Sequence, residues 1–387
     1  MRTVQAKPCS SVELGRRKRQ SWFVTVFCPR AFSNGGLAQG YFSFQLYDTL
    51  QALCSYLRAV LCNRGLLRAL GVGTDNASAT AAALTFLTRD GVGMFASLGL
   101  AFSYSQSFGR EVKFWRLFAD VCNDVALVLD LVAPWWGGEN AFLLLVCISS
   151  ALKAFCGVAA GATRAAITNH FALNSDDLAD VAAKEGSQET AVTLLGMLLG
   201  YWFLDHVSED NFVALWGLFA GLTVVHVWAN FQAVSSLHFR TLDEQRLGII
   251  LAAHQNHSVL SFEQVSLSES IVIPWPSTAS CIKVIQLDSE QAVWVNDLLP
   301  DIGFVDIKGQ VGVVVAENGR EDELVEQQVC AALALLSSTS TNAQCCAKTA
   351  HEHLDLVREL KALGWDFHAS CTLLGFSKHK RAKFKQH

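Results

Sequence analysis

Six side chains between Gly157 and Gly200 could do chemistry together: Arg164, His170, Asp180, Lys184, Gln188 and Glu189. Arg164 and Lys184 would form a cationic clamp for an anionic or zwitterionic metabolite. Ionisable groups set between apolar helices are costly unless paired, so a set like this has a reason to exist. Asp180, Lys184 and Gln188 recur at four-residue steps on one helix face, with Asp180 on the favoured N-terminal side of Lys184. Ala179, Ala182, Ala183, Gly186 and Ser187 around them are small enough for another helix or a ligand to approach. Two readings follow: a network of Arg164, Asp180 and Lys184 that fixes helix packing, or a ligand site. Packing carries more weight, because buried ion pairs specify packing more often than they mark a substrate.

A second polar set, Arg116, Asp120 and Asp124, lies at four-residue steps in an otherwise apolar helical stretch. Arg116 and Asp120 can pair on one face as a structural salt bridge; the alternative is a polar lining for a cavity. No local signature of a Ser/His/Asp or Cys/His nucleophile is present, and no catalytic residue is assigned. Gly91-Val92-Gly93 lacks both the third glycine and the preceding strand of a dinucleotide fingerprint. Of the twelve cysteines none forms a CxxC, and Cys345-Cys346 with His351 and His353 fits no standard zinc spacing. No metal, no cofactor and no enzymatic reaction are therefore expected.

Those residues must be positioned by helices. Leu46, Leu50, Leu53, Leu57, Val60 and Leu61 predict a helix over 44–70, ended by Gly71 and Gly73. Thr74-Asp75 would cap a second helix running to Thr88, and 89–93 reads as a polar turn. A third helix is predicted over 111–133, closed by Pro134 and by Trp135-Trp136, which suit a membrane interface. Ala141 to Thr163, Ala191 to Leu204 and Phe212 to Ala229 follow as apolar segments. The first and third approach the roughly 20 residues needed to cross a bilayer; the second suits the apolar half of a longer helix, capped by Asn174 or Ser175. Each carries a GxxxG, at Gly157–Gly161, Gly196–Gly200 and Gly217–Gly221, which predicts close helix approach at Gly161, Gly200 and Gly221.

Composition agrees with a membrane setting. Of 387 residues 51% are hydrophobic and only 17% charged, short of the quarter usual in soluble domains. A net charge of −5 without a long basic face argues against a nucleic-acid partner. Residues 1–25 are basic, as a transit peptide or a disordered tail would be. After Arg240 the pattern changes. Ser270 to Trp275, Cys281 to Leu287 and Val311 to Val315 read as strands, and Glu321 to Leu336 and Ala350 to Leu363 as amphipathic helices. The basic tail at 378–385 could touch an anionic membrane surface, with a solvated terminus as the alternative.

The segments YDTLQA (47–52), GVGTDNASATAAALTF (71–86), KFWRLFADVCND (113–124), GVAAGATRAAITNHFA (157–172) and ADVAAKEGSQET (179–190) resemble the root UVB sensitive (RUS) family. So do RDGVGM (89–94), LDEQRL (242–247) and GWDF (364–367). The resemblance implies a membrane-associated or plastid-located protein without an assigned reaction, whose plant relatives are linked to ultraviolet-B responses, auxin transport and vitamin B6 balance and can act in pairs. The family's entry motif is reduced here to Phe27-Cys28-Pro29-Arg30, so the resemblance is no guide to residues 1–43.

The expected fold is mainly α. A disordered or targeting region at 1–43 precedes a helical membrane-associated domain at 44–240 and a small α+β domain at 241–387. The expected function is non-enzymatic, at a membrane of a plastid or another organelle, through a protein partner such as another family member. The alternative is a transporter or binder of a small anionic metabolite at Arg164, Asp180 and Lys184.

Overall fold

The structure is a computed structural model. It describes residues 22–272 apart from 34, 72–78, 106, 137 and 208–210, and beyond them 293–294, 302–307, 310–315, 321–337, 350 and 353–367. The described chain is mainly helical. Two short helices, α1 (Trp22–Phe27) and α2 (Arg30–Ser33), lead into six long ones: α3 (Tyr41–Ala69), α4 (Ala79–Tyr104), α5 (Val112–Val132), α6 (Glu139–Phe171), α7 (Leu178–His206) and α8 (Phe212–Ser235). Helices α9 (Glu244–His254) and α10 (Phe262–Ser268) follow, then α11 (Glu321–Ser337) and α12 (Leu354–Ala362). Strands β1 (Val293–Trp294), β2 (Ile302–Ile307) and β3 (Gln310–Val315) pair antiparallel in that order.

The six long helices alternate in direction. One end of the bundle gathers the C-terminal ends of α3, α5 and α7 with the N-terminal end of α8. There Leu66 packs with Ala133 and Val146, Arg64 donates to the Val207 carbonyl at 2.7 Å, and Trp135 meets Phe212 and Trp216. The opposite end joins Tyr41, Val112, Phe171, Val181 and Leu237 in one cluster. Gly40 shows how tight that end is. It sits at φ +90°, and a Cβ there would run into the Ser236 carbonyl oxygen, so a side chain is excluded both by conformation and by space.

Several elements differ from expectation, each for a local reason. Residues 89–93 form no turn but lie within α4. Arg89 stacks on Phe86 at 4.9 Å and pairs with Asp90, while Gly93 lets the Ser150 side chain of α6 come close enough that a Cβ would meet its Oγ at 2.7 Å. The glycine serves helix packing, not a bend. The N-cap position of α7 is Asp177, so the helix begins later than a cap at Asn174 or Ser175 would place it; it is entered from a 3₁₀ turn (Ser175–Asp177), with Asn174 donating to the Asp177 carboxylate at 3.0 Å. Of the three GxxxG pairs only Gly196–Gly200 makes a close approach among the described residues, to Tyr56 and Val60 of α3; around Gly157, Gly161, Gly217 and Gly221 no described atom lies within 4 Å of an added Cβ.

Residues 22–43 are part of the fold. Ala38 donates to the Phe171 carbonyl, Leu173 donates to that of Gly36, and Leu37 bridges Ala172. Val311 to Val315 falls within β3, whereas 281–287, most of 270–275, Thr74-Asp75, Cys345-Cys346, His351, the basic residues 1–21 and the tail at 378–385 lie outside the described residues. Helices α9 to α12 share a core with Trp365 and Phe367, and this part locks onto the bundle through Lys113 of α5. Lys113 donates to Ser266 at 2.7 Å and pairs with Glu269, which also pairs with Arg246.

α6 and α8 are long and apolar enough to cross a membrane, and most of each apolar window is not buried. The other helices add to the exposed apolar surface: Phe102 of α4 is 91% exposed and Phe95 80%, and Leu198 and Tyr201 of α7 are exposed as well.

Candidate functional site

Several charged residues on α3 and α5 are buried, among them Arg58, Asp120 and Asp130. Arg58, fully buried, reaches Asp124 at 2.7 Å and Thr223 at 3.2 Å, and His226 of α8 places Nε2 3.3 Å from the same carboxylate. The His226 Nδ1 donates to the Gln51 carbonyl at 3.0 Å. Asp124 is thus shared by a guanidinium and an imidazole within the bundle.

One turn away along α5, a cavity of about 480 Å³ opens between α3, α5, α6 and α7. It exists because α6 packs along α4 and α5 and α7 packs along α3, while α6 and α7 touch each other sparsely. Charged and amide side chains stand in its largely apolar wall. Asp48 of α3 accepts from Arg116 of α5 at 2.6 Å and from Gln51 at 3.1 Å, and Asn123 donates to Ser55 at 2.8 Å. Across the gap, Glu185 of α7 accepts from Thr168 of α6 at 2.7 Å and from Gln45 of α3 at 3.2 Å. Arg164 of α6 pairs with Glu189 of α7 at 2.7 Å; their side chains are 45% and 60% exposed, which places this pair at the rim. Asp120 lies at the wall only 8% exposed, and its Oδ2 has no hydrogen-bond partner among the described residues.

The six residues of the predicted polar knot are divided by the structure. Arg164, Gln188 and Glu189 line the cavity, but Asp180 and Lys184 do not. Asp180 accepts the backbone N–H of Arg30 at 2.6 Å, Lys184 donates to the Thr25 carbonyl at 2.6 Å, and Gln188 donates to that of Phe27 at 2.7 Å. These are the orphan groups of two short helices, the last carbonyls of α1 and the first N–H of α2. The predicted network of Arg164, Asp180 and Lys184 does not assemble, and Asp180 and Lys184 are half-buried, each bonded to the N-terminal segment. His170 points elsewhere, against Phe171 and Phe239. In the second set, Arg116 hydrogen-bonds Asp48, not Asp120, and Asp124 belongs to the interior pair with Arg58.

Glu185, Asp48, Gln45, Gln51 and Asn123 were not among the predicted site residues. For the three on α3 the signal is a polar stripe, Gln45, Asp48, Gln51 and Ser55 recurring at three- and four-residue steps; Glu185 and Asn123 carry no such signal.

Residues 15–258 match the family model described as Vitamin B6 photo-protection and homoeostasis domain. The chain is 34% identical over 364 residues to "Protein root UVB sensitive 3" of Arabidopsis thaliana, covering 88% of this chain and 82% of the relative. It is 34% identical over 261 residues to "RUS family member 1" of Dictyostelium discoideum, covering 66% of this chain and 49% of that protein. Against "Protein root UVB sensitive 2, chloroplastic" of Arabidopsis thaliana the identity is 27% over 232 residues, with 59% and 51% covered, so the chain spans about half the length of these two relatives. No solved structure matches. With the family model covering the whole bundle and the cavity within it, the chain belongs to the root UVB sensitive family.

Proposed function

We propose that this protein is a six-helix membrane protein whose central cavity binds a small polar metabolite, holding or moving it without transforming it. One observation carries the reading: a cavity of about 480 Å³ with several charged and amide side chains set in a largely apolar wall opens between helices whose outer faces expose many large apolar residues. Concave sites of this size with a few fixed polar groups suit small molecules, and ionisable groups at membrane depth are kept where they face a cavity or each other. The helices run from 21 to 33 residues, enough to cross a hydrocarbon core of about 30 Å. Trp135, Trp136 and Trp202 are exposed near one end, as at a membrane–water interface.

An even number of spans would leave α1 and α2 on the same side as α9 to α12, where the C-terminal part would form an α+β unit in water. The family description directs the first ligand trials to vitamin B6 compounds, and the relative named chloroplastic makes a plastid membrane the first location to examine. A second reading, action through a protein partner such as another family member, draws on α4, which buries only Gly93 and Leu100 and leaves a long apolar face for lipid or protein.

Thermal unfolding of the protein in lipid nanodiscs, with and without a panel of small polar metabolites including the vitamin B6 forms, tests the binding reading. At least one compound should raise the melting temperature in a concentration-dependent way. Gly161→Leu should abolish the effect without destabilising the fold, because Gly161 lines the cavity with open space beyond it. Stabilisation that survives Gly161→Leu would place the ligand elsewhere. Release of the protein by carbonate extraction would remove the membrane reading.

A further inference from the structure

The charges on the cavity wall say what kind of molecule it takes. Four carboxylates line it, Asp48, Asp120, Glu185 and Glu189, against two guanidiniums, Arg116 and Arg164, and no lysine or histidine, so the wall carries two formal negative charges in excess. Both guanidiniums are already engaged, Arg116 with Asp48 at 2.6 Å and Arg164 with Glu189 at 2.7 Å. The cationic clamp that an anionic ligand would need is therefore spent within the protein. The other two carboxylates have no cation at ion-pair distance among the described residues: Glu185 accepts only the neutral donors Gln45 and Thr168.

Asp120 is the sharper case. It is more than nine-tenths buried, lines the cavity, and leaves Oδ2 without a donor among the described residues. A buried carboxylate oxygen without a donor costs free energy that a ligand N–H can recover, and a charged donor recovers more than a neutral one. A second anion brought here would add repulsion to a wall already in excess.

We propose that the cavity selects a small organic cation, a protonated amine seated on Asp120 with Glu185 as the second carboxylate. The inference rests on the binding reading above and adds the charge class of the ligand.

Three four-carbon probes of different charge separate the two: 1,4-diaminobutane, 1,4-butanediol and succinate, each titrated at millimolar concentration against the full chain in nanodiscs, with melting temperature as the readout. The diamine should stabilise the protein while the diol and succinate do not. Asp120→Asn should weaken the diamine effect about tenfold or more, the loss of one charge-assisted contact, and should leave the ligand-free melting temperature unchanged or higher, because an unsatisfied buried charge is removed. Glu185→Gln provides an independent arm with the same expected direction. Preference for succinate, or a diamine effect indifferent to both substitutions, overturns the cation assignment and leaves the binding reading standing. No shift with the diamine overturns the assignment as well, and silence across the wider metabolite panel removes the binding reading with it.

Discussion

Arg58 of α3 and Asp124 of α5 form an ion pair 2.7 Å long inside the bundle, with the arginine fully buried. Thr223 and His226, both on α8, complete the arrangement, so one pair ties three helices. Removing one partner of such a pair strands a charge and costs about 3–5 kcal/mol, while replacing both with apolar residues costs much less. Arg58→Met should therefore sharply reduce folded protein, and Arg58→Met combined with Asp124→Leu should recover much of it. Additive losses in a thermal-unfolding cycle would mean the pair is not energetically coupled.

The glycine pairs should behave differently from one another. At Gly196 a Cβ would sit 2.7 Å from the Tyr56 ring, so Gly196→Ala should force α7 away from α3 and lower stability. At Gly217 and Gly221 no described atom lies within 4 Å of an added Cβ, so alanine should be neutral or should gain up to about 1 kcal/mol from helix propensity. Melting temperatures of the three alanine variants decide this, and a drop at Gly221 equal to that at Gly196 would point to an uncharted neighbour of α8.

Asp180 and Lys184 hold separate backbone groups of the N-terminal segment, so their substitutions should not rescue one another. Lys184→Met should loosen α1 and cost about 1 kcal/mol, the net worth of one hydrogen bond. Combining it with Asp180→Leu should add within about 0.5 kcal/mol. Hydrogen exchange should rise over 22–33 while α3 to α8 stay protected; recovery in the double variant would instead make the two residues a pair.

The Lys113–Glu269–Arg246 cluster has a pH signature. Burial pushes the Glu269 carboxyl up, but the Arg246 guanidinium and the Lys113 ammonium outweigh it and hold the group below its ordinary value. The stability this carboxylate contributes is then complete above the unfolded value of about 4.3 and is lost as pH falls through the lower folded value. Asp243, pushed above its ordinary value by burial despite Arg246, acts with the opposite sign and starts to gain protons earlier on acidification. Comparing the protein with Glu269→Gln isolates the first effect: the stability difference should be flat near neutrality and shrink in strong acid. A difference that widens on acidification would mean Glu269 is protonated in the fold.

Much of the fold was readable in the sequence because long amphipathic and apolar repeats leave a helix few alternatives. The helices at 44–70, 111–133 and 212–229 appear with only their ends moved, and the apolar run at 191–204 is the second half of α7. The glycines at 91 and 93 misled for a physical reason: a glycine that bends a loop and one that admits a neighbouring helix look alike until the neighbour is placed.

The polar residues divide in the same way. That the stretch from Arg164 to Glu189 is rich in charge, and that Arg116, Asp120 and Asp124 share a face, follows from spacing alone. Partner choice does not. A helix turns about 100° per residue, so Lys184 and Glu185 are neighbours in sequence yet face different structures, one the carbonyl of Thr25 and the other the cavity. Arg116 prefers Asp48, far away in sequence, to Asp120 one turn on, because α3 crosses where the guanidinium ends. Periodicity determined which residues share a helix and which face is polar; only the packing of α3, α5, α6 and α7 decided that Asp120 lies beside a cavity with a buried oxygen unpaired among the described residues.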